Sequence, residues 1–126
     1  PLWDDRSQQL VWVDIQGQRL WTYSPGKPAG NEQCFTLPAR PGSLALCEHG
    51  DGYVIALEDG FAHFDTSLNK VERITSTFEP DLPTRLNDGR VDAKGRFVVT
   101  GCILKGEDAC SAIYRLNTDF TVERLR

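Results

Sequence analysis

The sequence predicts an all-β fold made of repeated four-stranded sheets, on three observations. Short runs rich in β-branched and aromatic residues recur in pairs joined by Gly-containing turns, the pattern of β-hairpins. The first strands of these hairpins start near Leu10, Tyr53 and Phe97, so the pattern repeats every 40–45 residues or so. No stretch of about ten residues keeps the 3.6-residue period of a helix.

The elements follow in order. Leu10–Ile15 is apolar and β-rich, Gln16-Gly17 makes a turn, and Arg19–Tyr23 alternates large apolar with polar residues. Ser24-Pro25-Gly26 closes this hairpin. Tyr53–Leu57, Glu58-Asp59-Gly60 and Phe61–Asp65 repeat the grammar. Arg96–Thr100 and Ala112–Leu116 repeat it again, with a longer connection from Gly101 to Ser111. Further strands are expected at Gln33–Leu37, Ser43–Leu46, Val71–Thr75, Asn87–Val91 and Val122–Leu125. Asp92–Gly95 reads as a turn. Four strands per repeat at this spacing are the signature of a β-propeller blade. A blade buries both faces only against neighbours, so an isolated set of blades is expected to fold poorly or associate.

Composition bounds the function. Apolar residues make up 40% and charged residues 25% of the chain, which suits a packed domain. The net charge of −4 comes with scattered Lys and Arg, which argues against nucleic acid as a main partner. No apolar run is long enough to span a membrane. The chain opens on Pro1 and contains no Met, so sequence is expected to be missing upstream. Cys34, Cys47, Cys102 and Cys110 match no zinc spacing. They are expected to be reduced and mostly buried, as in a cytoplasmic protein, with a Cys102–Cys110 bridge the oxidised alternative.

One segment carries a sharper signal. Arg85-Leu-Asn-Asp-Gly89 is followed by Val91-Asp92 and by Gly95-Arg96-Phe97. Upstream stand Pro1-Leu-Trp-Asp4, Leu10–Ile15 and Leu20-Trp21. Together these resemble the SMP-30/gluconolactonase/regucalcin-like family. Its first blade opens Gly-Glu-Gly-Pro-x-Trp, and a later segment reads Arg-x-Asn-Asp-Gly-x-x-Asp-x-x-Gly-Arg. The resemblance covers most of the chain and implies part of a six-bladed β-propeller, about two and a half to three blades. Residues 1–126 would be the N-terminal portion of one propeller domain.

It also implies a chemistry. Members of that family hold one divalent cation (Ca, Zn, Mn or Mg) in the central channel and hydrolyse sugar lactones. A cation beside the carbonyl stabilises the tetrahedral oxyanion and acidifies water. By the resemblance, the ligands are a Glu two residues before Pro1, and an Asn and an Asp beyond Arg126. No metal ligand, catalytic residue or cofactor of its own is therefore expected in this segment. Arg85 and Asn87 map to the family's substrate-binding Arg and Asn. A guanidinium fork suits hydroxyl and carbonyl oxygens, and an amide both donates and accepts. Asp88 and Gly89 are read as shaping a turn, with Gly supplying unusual backbone angles. The run Gly101–Asp108, with Lys105, Glu107 and Asp108, departs from the family loop and leaves the choice of lactone open.

Other candidates have plainer readings. His49 reads as a surface turn residue and His63 as half-buried in a strand, neither in a triad spacing. Asp51 and Asp59 stand beside Gly as turn residues, and no twelve-residue calcium loop is present. Trp3, Trp12 and Trp21 are expected in the blade packing. The expected partner is a sugar lactone, and the oligomeric state is left open. The rival function is a non-catalytic propeller that binds calcium or protein.

Overall fold

A computed structural model describes residues 1–48, 52–75, 84–103 and 112–126, and among them every regular element is a strand. The strands are β1 (Leu2–Asp4), β2 (Gln9–Asp14), β3 (Arg19–Tyr23), β4 (Gln33–Thr36), β5 (Pro41–Leu46) and β6 (Tyr53–Leu57). They continue as β7 (Gly60–Asp65), β8 (Lys70–Arg73), β9 (Thr84–Val91), β10 (Phe97–Ile103), β11 (Ile113–Leu116) and β12 (Val122–Arg124). They form three four-stranded antiparallel sheets, each pairing its strands in chain order. The expected hairpins are therefore present, and the repeat gives three blades.

Blade two lies between the others. Residues Tyr53–Leu57 of β6 are all buried, which explains their unbroken apolar run: both faces of the strand meet another sheet. Alternation then divides the residues. Tyr53, Ile55 and Leu57 join Val11, Leu20 and Leu37 in the core between blades one and two. Val54 and Ala56 join Phe61, Phe97 and Val99 in the core between blades two and three. An edge-on pair, Phe35 and Phe64 with centroids 5.3 Å apart, closes the first core; Phe61 and Phe97 at 5.8 Å close the second. Adjacent blades meet through their first strands: β5 packs against β1 and β2 on one side and against β9 on the other.

The structure corrects several sequence-based readings. Leu2–Asp4, expected only as a motif, is a strand that pairs with Gln9–Val11. The strand that holds the Arg85 motif starts at Thr84 rather than Asn87. Asp88 and Gly89 lie inside that strand and form no turn; Gly89 is not among the glycines with positive φ. Its missing Cβ serves space instead, because a Cβ there would lie 2.7 Å from Val99 Cγ2 and 2.9 Å from Phe97 Cε2. The tryptophans are not core residues: Trp3 is 44% exposed, and Trp12 and Trp21 stack on each other half-buried.

Cys34 is exposed and Cys47 and Cys102 are half-buried free thiols, so Cys34 departs from the expected burial. Cys110, and with it the proposed bridge to Cys102, lies outside the described residues, as do His49, Asp51, Lys105, Glu107 and Asp108. The turn at Asp92–Gly95 forms as expected. Asp92 Oδ1 accepts from the Lys94 and Arg96 amides, and Gly95 takes φ of 75°.

Candidate functional site

Arg85 and Asn87 share β9, the first strand of blade three, and both are half-buried. Residues two apart on a regular strand face the same way. Here the strand is irregular at this point. Gly89 pairs with Val99 and Leu86 pairs with Gly101, so Asn87 and Asp88 together oppose Thr100 alone. That two-against-one count is a β-bulge, a device that redirects side chains near sites. Thr100 Oγ1 donates to Asp88 O over 3.1 Å across it.

The two side chains are in contact. Arg85 Nη1 donates to Asn87 Oδ1 at 2.9 Å and to Leu86 O at 3.0 Å. The Asn87 carbonyl oxygen is thus occupied, which leaves its NH2 as the donor end of the amide. Arg85 Nε and Nη2 add further donors in a fixed plane. A cluster of donors of this kind suits an oxygen-rich neutral or anionic ligand.

The neighbouring blade reaches the same place. β5 carries its own irregularity, with Pro41 opposite Leu57 and Ser43 opposite Ala56, leaving Gly42 as the extra residue. Gly42 lies against β9 so closely that a Cβ would stand 2.4 Å from Asn87 O, 2.5 Å from Leu86 O and 2.8 Å from Asn87 Cα. Sequence reasoning missed Gly42, because its partner stands 45 residues away along the chain and nothing local distinguishes it from a turn glycine.

A second polar cluster, also missed, joins blades one and two. Asp4 is only 3% exposed. It accepts from Arg6 N and Nε, each at 3.0 Å, and from the Tyr53 hydroxyl at 3.0 Å. Arg6 in turn donates to Cys47 O at 2.8 Å and to Gly52 O at 3.3 Å. Burial pushes the Asp4 carboxyl up, but the hydrogen bonds from Arg6 and Tyr53 outweigh it and hold it down at about 2. Burial, then the bond to Asp4, pushes the Tyr53 phenol up to about 12. The Tyr53 bond to Asp4 and the Arg6 bonds to Cys47 O and Gly52 O make the cluster a structural tie between blades.

A groove of about 580 Å³ opens between blades two and three, with Ala45, Val54, Phe97 and Leu116 among its walls and His63 and Glu72 at its polar side. It reaches Val91 at the far end of β9 and is not lined by Arg85 or Asn87. Six residues of extended strand separate Arg85 from Val91, about 20 Å. The groove and the Arg85–Asn87 pair are therefore distinct places.

The resemblance implies a cation; the described residues contain no group of three or more His, Cys, Asp or Glu side chains able to hold a metal ion. Likewise, no described helix is long and apolar enough to cross a membrane.

Three four-stranded antiparallel blades, stacked face to face with their first strands together, define a β-propeller. The sequence places it further: the chain belongs to the SMP-30/Gluconolactonase/LRE-like region family, whose match covers residues 1–126. It is 39% identical to the L-arabinolactonase of Azospirillum brasilense over 98% of this chain and 41% of that protein. It is 36% identical to the 6-deoxy-6-sulfogluconolactonase of Pseudomonas putida over 77% of this chain and 32% of that protein. Among solved structures, a calcium-binding protein, regucalcin, from Agrobacterium tumefaciens superposes with a TM-score of 0.85 at 25% identity, over 99% of this chain and 41% of that chain. The chain thus spans about two fifths of the length of the first two of these to be matched across nearly all of it.

Proposed function

We propose that the protein carrying this chain is a divalent-metal-dependent sugar lactone hydrolase, and that residues 1–126 supply the N-terminal blades of its propeller domain. Arg85 and Asn87 bind the substrate. The observation that carries this reading is the Arg85–Asn87 pair itself: joined side chains at a bulge on the strand where two blades meet, with spare donors of the kind sugar oxygens accept. The named activities of the L-arabinolactonase and the 6-deoxy-6-sulfogluconolactonase support a sugar lactone as the class of substrate.

The role of these residues follows from their chemistry. Donors held in a fixed plane orient the lactone ring and hold its oxygens, so less rotational freedom is lost on the way to reaction. The cation, when bound by the protein, would polarise the lactone carbonyl. The role of the residues described here is to bind and orient.

A non-catalytic calcium-binding propeller is the second reading, favoured by the description of the Agrobacterium tumefaciens relative as a calcium-binding protein. One experiment separates the two. The purified protein is assayed for acid release from gluconolactone and arabinonolactone, before and after chelation and with each of Ca, Zn, Mn and Mg restored. Hydrolysis lost on chelation and regained with a metal supports the hydrolase. Calcium binding without hydrolysis above the spontaneous rate supports the second reading.

A further inference from the structure

The irregularity of β5 at Gly42 and that of β9 at Asn87–Asp88 lie against each other across the interface of blades two and three. Each has a separate support. The β9 bulge is held on one side by Thr100, whose hydroxyl donates to Asp88 O at 3.1 Å. On the other side β9 meets the backbone of Gly42, where a Cβ would fall 2.4 Å from Asn87 O. Contacts under 3.0 Å to backbone atoms cannot be relieved by rotating a side chain, so any larger residue at 42 must displace β9 itself. The portion displaced is Leu86–Asn87, which accepts the Arg85 guanidinium through Leu86 O and Asn87 Oδ1.

We infer that Gly42 and Thr100 are positioning residues for the substrate-binding pair, Gly42 by letting blade two close onto the backbone of Asn87 and Thr100 by pinning the bulge from within blade three. The inference rests on the reading of Arg85 and Asn87 as substrate-binding. Gly42 does not need a left-handed backbone, since its φ is not positive. Its requirement is space alone, and that space is set by a different blade. Placement errors of an ångström at a binding group reduce rates by as much as a hundredfold, so a shift forced at residue 42 reaches the substrate without touching it.

The test uses the whole protein with gluconolactone as probe. Asn87→Ala is measured first and is expected to raise KM about tenfold or more. Gly42→Ala and Gly42→Val are then expected to raise KM in order of size, with kcat falling less and the melting temperature falling in the same order, since the new side chain presses on backbone. Thr100→Val keeps the shape and removes the hydroxyl at an exposed strand position. It is expected to raise KM about threefold, with an unchanged melting temperature. If Asn87→Ala leaves KM unchanged, the substrate-binding reading fails and this inference fails with it. If Asn87→Ala raises KM while the Gly42 variants stay within about twofold of the parent, only the positioning role is overturned. Where Gly42→Val does not fold, Gly42→Ala and Thr100→Val decide, and an unchanged KM in both overturns the inference.

Discussion

Tyr53 donates its phenolic hydroxyl to Asp4 Oδ2 over 3.0 Å, and the bond ties the first strand of blade one to the second strand of blade two. Both residues are buried, at 3% exposure each. The carboxylate keeps its charge there because Arg6 meets it as well. Tyr53→Phe should cost about 1 kcal/mol, the usual net worth of one such bond. Asp4→Ala should cost more, about 2 kcal/mol, because it strands the Tyr53 hydroxyl while the partly exposed Arg6 can rehydrate. Urea unfolding of the two variants and the parent checks both values and their order.

The same pair sets a pH dependence. The Asp4 carboxyl is held at about 2, below its ordinary value of 3.8. A carboxyl depressed by folding contributes stability that is present above its unfolded value and is lost as pH falls through the folded one. The window runs from about pH 5 down to about pH 2, and the contribution is about 2 kcal/mol. Tyr53, pushed up to about 12, works at the other end: its share is present below about pH 10 and is lost as pH rises towards 12. Asp92 is also held at about 2, by Arg96 on an exposed turn, so the acid transition alone does not report Asp4. Melting temperatures of parent and Asp4→Asn from pH 2 to 7 isolate it: the variant should lose less stability on acidification.

Arg85→Ala should lower kcat/KM for aldonolactones by about tenfold or more, mainly through KM, because the guanidinium both binds and orients Asn87. Arg85→Lys should recover little, since an ammonium standing where Nη1 meets Leu86 O and Asn87 Oδ1 lacks the Nε and Nη2 donors that the guanidinium keeps for the substrate. Unchanged lactone kinetics in Arg85→Ala would remove the role given to it.

Gly89→Ala tests the steric account of the motif glycine. The new methyl would press on Val99 Cγ2 and Phe97 Cε2 in the core between blades two and three. Overpacking of this kind should cost about 1–3 kcal/mol. If position 89 instead served a turn with a left-handed backbone, a Val99→Ala change that opens space would give no relief. Partial rescue of Gly89→Ala by Val99→Ala in chemical unfolding is therefore the expected outcome.

Much of this was legible along the chain because strands announce themselves locally. Alternation and paired turns placed the hairpins around Leu10, Tyr53 and Phe97, and the repeat of those hairpins implied blades. Arg85 and Asn87 stood out because a short motif keeps its residues together. The short strand Leu2–Asp4 escaped, since three residues are too few to show a period. The reading of Asp88 and Gly89 as a turn failed because both residues favour turns in isolation, while the ladder to Val99 keeps them extended.

What the order of residues determined alone was the strand grammar, the repeat of blades and the family. What only the tertiary structure decided was who meets whom across the blades: Asp4 with Tyr53, and Gly42 with Asn87. The physical reason is that blade faces bury against other blades, so the partner of a residue is chosen by stacking of sheets and not by spacing in the chain. A hydroxyl, a carboxylate and a glycine carry no local mark of such partners until the sheets are brought together.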